Sequence, residues 1–183
     1  MNILFKIICA ILIVQMALSA CDSGPSTNQV ILPACHSCTD STALHIELSL
    51  KDEDRMTRGM MQVINSESGY SCEKVTDVLG KLDIRLCLDS IYDLVFTGET
   101  YLKKIIRLDL RNIPDTSAAG GFLLSMNIKM QPAPEGFDTR ITDEPIGMAS
   151  YSPEHNNILF DFEYTERRQK EIDAELQRCL TKQ

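Results

Sequence analysis

Every second residue from Leu44 to Leu50 is apolar, with His45, Glu47 and Ser49 between them, and this two-residue period constrains the fold more than anything else in the chain. Successive side chains of a strand point to opposite faces, so such alternation marks a strand with one face in a core and one in water. Leu82, Ile84, Leu86 and Leu88 repeat the pattern against Asp83, Arg85, Cys87 and Asp89. Asp89-Ser90 and then Gly98-Glu99-Thr100 supply turn chemistry, so strands over 82–88, 91–97 and 101–110 are expected to form an antiparallel meander. Further strands are predicted over 121–130 and 158–164, with a weaker candidate over 57–64.

Two segments read as helix. Residues 71–81 place Val75, Val78 and Leu79 on one side. Residues 165–180 carry Ile172, Leu176, Cys179 and Leu180 as one stripe, with Thr165 as the cap. Strands outnumber helices and strict strand–helix alternation is missing, which favours an antiparallel sandwich or α+β domain over a doubly wound parallel sheet. The fold class expected is mainly β (α+β): an antiparallel sheet or sandwich with the C-terminal amphipathic helix packed on it. The stretch 131–157 is rich in proline and glycine and reads as a long loop, either mobile or holding short strands that the pattern does not declare, with a binding loop as the functional alternative.

The N-terminus carries an address. Met1 and Lys6 precede an unbroken apolar run from Ile7 to Val14, which Gln15 closes well short of the roughly 18 residues a spanning helix needs. Leu18-Ser19-Ala20-Cys21 follows and resembles the lipobox of bacterial lipoproteins. The resemblance implies removal of residues 1–20 as a signal peptide, a diacylglyceryl group on the Cys21 sulfur and an acyl chain such as palmitate on its new amino group. Two or more chains anchor a protein stably, which one alone does not. Asp22 resembles the inner-membrane retention signal of enterobacterial lipoproteins, favouring the inner over the outer membrane. Ser23 to Gln29 is small and polar. The expected organisation is a signal over 1–20, a lipidated tether with a C-x-x-C pair over 21–40 and a single globular periplasmic domain over 41–183.

Composition removes several functions. The net charge is −8, tryptophan is absent and aromatics are 6 % of the chain, and an acidic chain with so few stacking groups is a poor nucleic-acid binder, so no nucleic-acid partner is expected. The chain has seven cysteines, and in an oxidising envelope disulfides are the first expectation for Cys35, Cys38, Cys72 and Cys87. A bridge from Cys72 to Cys87 would join the predicted 71–81 helix to a strand. Cys179 on the helical stripe reads as a small buried hydrophobe.

Cys35-His36-Ser37-Cys38 is the one sharp motif, compatible with a structural bridge, a redox pair or half a metal site. A thioredoxin-like pair opens a helix after a strand, whereas here a tether precedes and a strand pattern follows. Zinc needs two further ligands, and His45 alone lies near. Met56, Met60 and Met61 with His45 would suit Cu(I), but core packing or a contact surface explains them more simply. Asp52, Glu53 and Asp54 read as a solvated turn, and Glu135, Asp138, Asp143 and Glu144 as solubilising charges. No nucleophile elbow, phosphate loop or zinc-protease signature occurs. The sequence therefore points to a non-enzyme without cofactor or metal: an accessory, scaffold or binding subunit held on the cell envelope by its lipid, facing the periplasm beside envelope protein partners. The alternative is a periplasmic thiol-redox or metal-handling lipoprotein using Cys35 and Cys38.

Overall fold

The computed structural model describes residues 30–31, 43–53, 55–114 and 121–181. Two sheets face each other. One contains β1 (Val30–Ile31), β2 (Ala43–Asp52), β3 (Arg55–Met56), β6 (Lys81–Cys87) and β9 (Phe122–Met130). The other contains β4 (Met60–Asn65), β5 (Ser71–Val75), β7 (Ile91–Thr97), β8 (Lys104–Asp109), β10 (Gly147–Ser152) and β11 (Asn157–Phe160), in the order β11-β10-β8-β7-β4-β5. Helix α1 (Phe162–Leu180) follows the last strand.

The alternating apolar residues form the core as their period requires. Leu44, Ile46, Leu48 and Leu50 are buried on β2, and Leu82, Ile84 and Leu86 stand on the same face of β6. Tyr92, Leu94 and Phe96 of β7 are fully buried in the opposing sheet. Phe122 and Tyr151 meet edge to face at 6.1 Å, joining the sheets at one margin. The mainly β architecture with a helix packed on it is the expected class.

Its pairing is mixed, not wholly antiparallel. β2 runs parallel to β9 from Leu44↔Phe122 to Asp52↔Met130, β8 parallel to β10, and β1 parallel to β6. The expected meander is also broken, since β6 and β7 lie in different sheets. Asp89, at φ 65°, turns the chain across: its N–H donates to the Leu110 carbonyl at 2.8 Å, and the N–H of Leu110 donates to the Ser90 carbonyl at 3.0 Å. Aspartate tolerates that left-handed geometry better than most residues.

The predicted helix over 71–81 is absent. Ser71 to Val75 instead extends along β4, and the chain then turns at 76–80. Asp77 Oδ1 accepts from the N–H of both Leu79 and Lys81 at 2.8 Å, a local turn that competes with helix. Gly80 closes it at φ +68°, and a Cβ there would lie 2.6 Å from the Thr57 carbonyl oxygen. Only glycine fits.

The stretch 131–157 is built. Pro132 bridges Tyr101, Asp138 caps a short 3-10 helix over Thr139–Asp143, and β10 lies within it. The strand predicted over 158–164 stops at Phe160 because Asp161 caps α1, accepting from the Tyr164 N–H at 2.9 Å. Thr165, the expected cap, lies inside the helix and donates its hydroxyl to the Asp161 carbonyl at 2.8 Å. Ile172 and Cys179 are buried, Leu176 is half-buried, and Leu180 leaves the expected stripe, 57 % exposed.

Arg168 holds α1 to the 131–157 stretch. Its side chain is 7 % exposed; Nη2 donates to the Ile141 carbonyl at 2.6 Å, Nε donates to the Pro145 carbonyl at 3.3 Å, and Nη1 pairs with Glu171. Tyr164 adds a hydroxyl bond to the same Pro145 oxygen at 2.8 Å. Further along, Glu175 accepts from the Asp138 N–H at 3.1 Å while Arg178 bonds the Gly136 carbonyl at 3.2 Å. The Arg178 guanidinium beside Glu175 lowers its carboxyl to about 2.

Candidate functional site

The outer faces of the sheets are mostly polar, but one end of the sandwich is not. There Met56, Met60, Val75, Val78 and Leu79 are all exposed, Val78 to 70 % and Val75 to 67 %. Pairing and turn geometry bring them together: Met60 stands opposite Val75, and Met56 opposite Lys51 at the end of β2. The segment 57–59 stitches the two sheets. The Thr57 N–H donates to the Leu50 carbonyl at 3.0 Å, and the Leu50 N–H donates to the Gly80 carbonyl at 2.8 Å. Gly59 and Thr76 exchange two bonds, the Gly59 N–H reaching Thr76 Oγ1 at 3.2 Å and the Thr76 N–H reaching the Gly59 carbonyl at 3.1 Å. The Tyr101 hydroxyl donates to Asp52 Oδ2 at 2.9 Å.

The apolar side chains therefore project from a bonded frame. Beside them an open hollow of ≈ 460 Å³ is lined by Arg58, Gly59, Met60, Val75, Thr97, Gly98 and Glu99. Such an end contributes apolar contact area to an apolar surface. The helical spacing of Val75, Val78 and Leu79 puts them on one side of an expected helix and does not reveal them as surface. The signal was Asp77 with Gly80, a turn inside the supposed helix.

A second surface is the edge of β5. Among the described residues it is the last strand of its sheet, paired to β4, and its Ser71, Glu73 and Val75 side chains are exposed. A terminal strand offers backbone N–H and C=O groups to an incoming strand.

The residues singled out from sequence are scattered. Cys21, Asp22, Cys35 and Cys38 lie outside the described residues. Cys72 lies in β5 opposite Val63, Cys87 at the end of β6 opposite Ala43, in the other sheet. Cys87 is disulfide-bonded, whereas Cys72 and Cys179 keep their thiols, so the expected bridge from Cys72 to Cys87 is not made. The partner of Cys87 lies outside the described residues.

The methionine group is divided. Met56 and Met60 are exposed while Met61 is buried in the core, and His45 lies between Arg85 and Leu123 on the first sheet. Alternation explains the split, because Met60 and Met61 point to opposite faces of β4. Among the described residues no three His, Cys, Asp or Glu side chains are grouped to hold a metal ion. Asp138 belongs to a frame, since Arg140 holds its carboxyl at about 2, and Asp143 pairs with Lys103 at 2.5 Å. Lys104 is buried at the start of β8, within electrostatic reach of Asp173 on α1. Burial lowers its ammonium to about 8, Asp173 opposing and Lys129 adding to the shift.

The class this arrangement defines is a two-sheet β-sandwich with a C-terminal helical cover. No family model and no curated protein sequence matches the chain. Among solved structures, catechol 1,2-dioxygenase from Acinetobacter sp. ADP1 is 10 % identical with a TM-score of 0.43, the match covering 60 % of this chain and 59 % of that one. The C-terminal domain of the shaft pilin spaA from Lactobacillus rhamnosus GG is 13 % identical with a TM-score of 0.34, covering 50 % of this chain and 99 % of that one. The Bacillus anthracis TIE protein is 13 % identical at TM-score 0.39, and the chain spans 18 % of its length. At these scores the likenesses assign neither activity nor partner.

Proposed function

We propose that this chain is a lipid-anchored envelope lipoprotein that faces the periplasm as a non-enzymatic accessory or binding subunit. Leu18 to Cys21 supplies the anchor and Asp22 favours the inner membrane. The observation that supports binding of a protein partner is β5, the last strand of its sheet among the described residues, where a strand edge is open to strand addition by a partner. The rigid frame behind it favours a scaffold, because the edge is presented without reorganisation. For the alternative, redox or metal handling by Cys35 and Cys38, no observation among the described residues speaks.

The test is site-specific photo-crosslinking in the native cell, with the probe placed at Glu73 on the edge or at Glu154 in the exposed turn after β10. The proposal expects a discrete protein adduct from Glu73 and none from Glu154. Membrane-retained protein that yields no adduct from Glu73 contradicts it.

A further inference from the structure

We propose that the apolar end formed by Met56, Met60, Val75, Val78 and Leu79 is a bilayer-contact surface, seated in the acyl–headgroup boundary of the membrane that carries the lipid anchor. The inference rests on the lipoprotein reading of Cys21 and adds the orientation of the domain. Its first support is strand direction. β1 runs parallel to β6 with Val30 beside Ile84 and Ile31 beside Arg85, so the N-terminal end of β1 points toward the Lys81 end of β6. Val78 and Leu79 lie immediately before Lys81, in the turn that opens β6. The three rungs from Ile84 to Lys81 span about 10 Å.

The second support is length. Only residues 22–29 separate Cys21 from Val30, and even fully extended they reach about 30 Å. A lipid on Cys21 thus keeps the membrane within that distance of β1, and the direction of β1 favours the Lys81 end. The opposite end, where Asn65 meets Tyr92 and Ser66 bonds the Ile91 carbonyl, would reach the bilayer only if the chain turned back along the sheet.

The chemistry fits an interface. Exposed valine, leucine and methionine side chains enter the boundary region, while Arg58 and Glu99 line the adjoining hollow and Asp77 and Lys81 flank the turn, giving both signs of charge around them. Apolar insertion therefore holds the contact, and it should persist at high salt.

The chain has no tryptophan, so one introduced residue reports alone. Full-length protein carrying Val78→Trp, or Glu67→Trp at the opposite end, is reconstituted into phosphatidylethanolamine/phosphatidylglycerol vesicles with brominated acyl chains, and lipid on Cys21 is measured in the same samples. The proposal expects blue-shifted emission and bromine quenching for Val78→Trp, unchanged by high salt, and neither for Glu67→Trp. Lipidated, vesicle-bound protein with Val78→Trp unquenched overturns the bilayer contact, leaves the anchor standing and returns the apolar end to a protein partner. Protein without lipid on Cys21 that fails to bind vesicles overturns both.

Discussion

Replacing Arg168 by methionine keeps most of the aliphatic stem and deletes the guanidinium that joins α1 to the 131–157 stretch. Two carbonyl oxygens, of Ile141 and Pro145, lose a charged donor in a partly buried setting, and Glu171 loses its partner. Hydrogen bonds to charged groups contribute about 1.5–3 kcal/mol each, and the longer contact to Pro145 belongs at the low end, so the loss should be about 3–5 kcal/mol. That is a large part of the roughly 5–15 kcal/mol a whole domain has. With a urea slope of about 1–3 kcal/mol per molar, the unfolding midpoint should fall by more than about 1 M. Lys170→Ala, on the exposed face of the same helix, should leave the midpoint unchanged. Equilibrium urea unfolding followed by far-ultraviolet circular dichroism makes the comparison. If Arg168→Met unfolds at the wild-type midpoint, the guanidinium does not hold the helix in place and the covering role given to α1 is wrong.

Lys104 gives a pH-dependent test. Its ammonium is lowered from 10.5 to about 8, so between those values the unfolded chain binds more protons and stability rises with pH. Lys104→Met should be the more stable protein at pH 7, by roughly 3 kcal/mol at most, with the advantage shrinking toward pH 10; a difference that stays constant from pH 7 to 10 in parallel urea melts refutes the assignment. Ile172→Ala should cost about 2–4 kcal/mol and half-buried Leu176→Ala less, while exposed Leu180→Ala should leave the urea midpoint in place; equal effects at all three positions would contradict the packing of α1. Non-reducing peptide mapping should find Cys87 linked to the peptide carrying Cys35 and Cys38, with Cys72 and Cys179 alkylated. Closing a loop of about 50 residues should add about 4 kcal/mol on the chain-entropy model, and a Cys72–Cys87 peptide would contradict the assignment.

The strand alternation at 44–50, 82–88 and 121–130 was legible because a half-buried strand has little freedom in where its apolar residues fall. Partners were not legible. Alternation states which face of β2 is buried but not that β9, far along the chain, lies beside it in parallel. Nor does it state that Asp89 sends the chain into the other sheet. The 71–81 segment misled because Val75, Val78 and Leu79 have helical spacing, and spacing alone cannot tell an inner face from an exposed one. The turn made by Asp77 and Gly80 decided it. For the same reason the apolar end was hidden, since it assembles from β3, β4, β5 and a turn that meet only in three dimensions. Arg168 gave no signal because a single arginine on a charged helix reads as solvated until the carbonyls of Ile141 and Pro145 are placed around it.

Intact mass spectrometry of the protein extracted from its native membranes shows whether the sandwich is carried on a lipid at Cys21. The expected species is a polypeptide beginning at Cys21 with the added mass of a diacylglyceryl group and an N-acyl chain, lost together with membrane retention in Cys21→Ser. An unmodified chain starting elsewhere, or a Cys21→Ser protein that keeps the lipid mass, would contradict it.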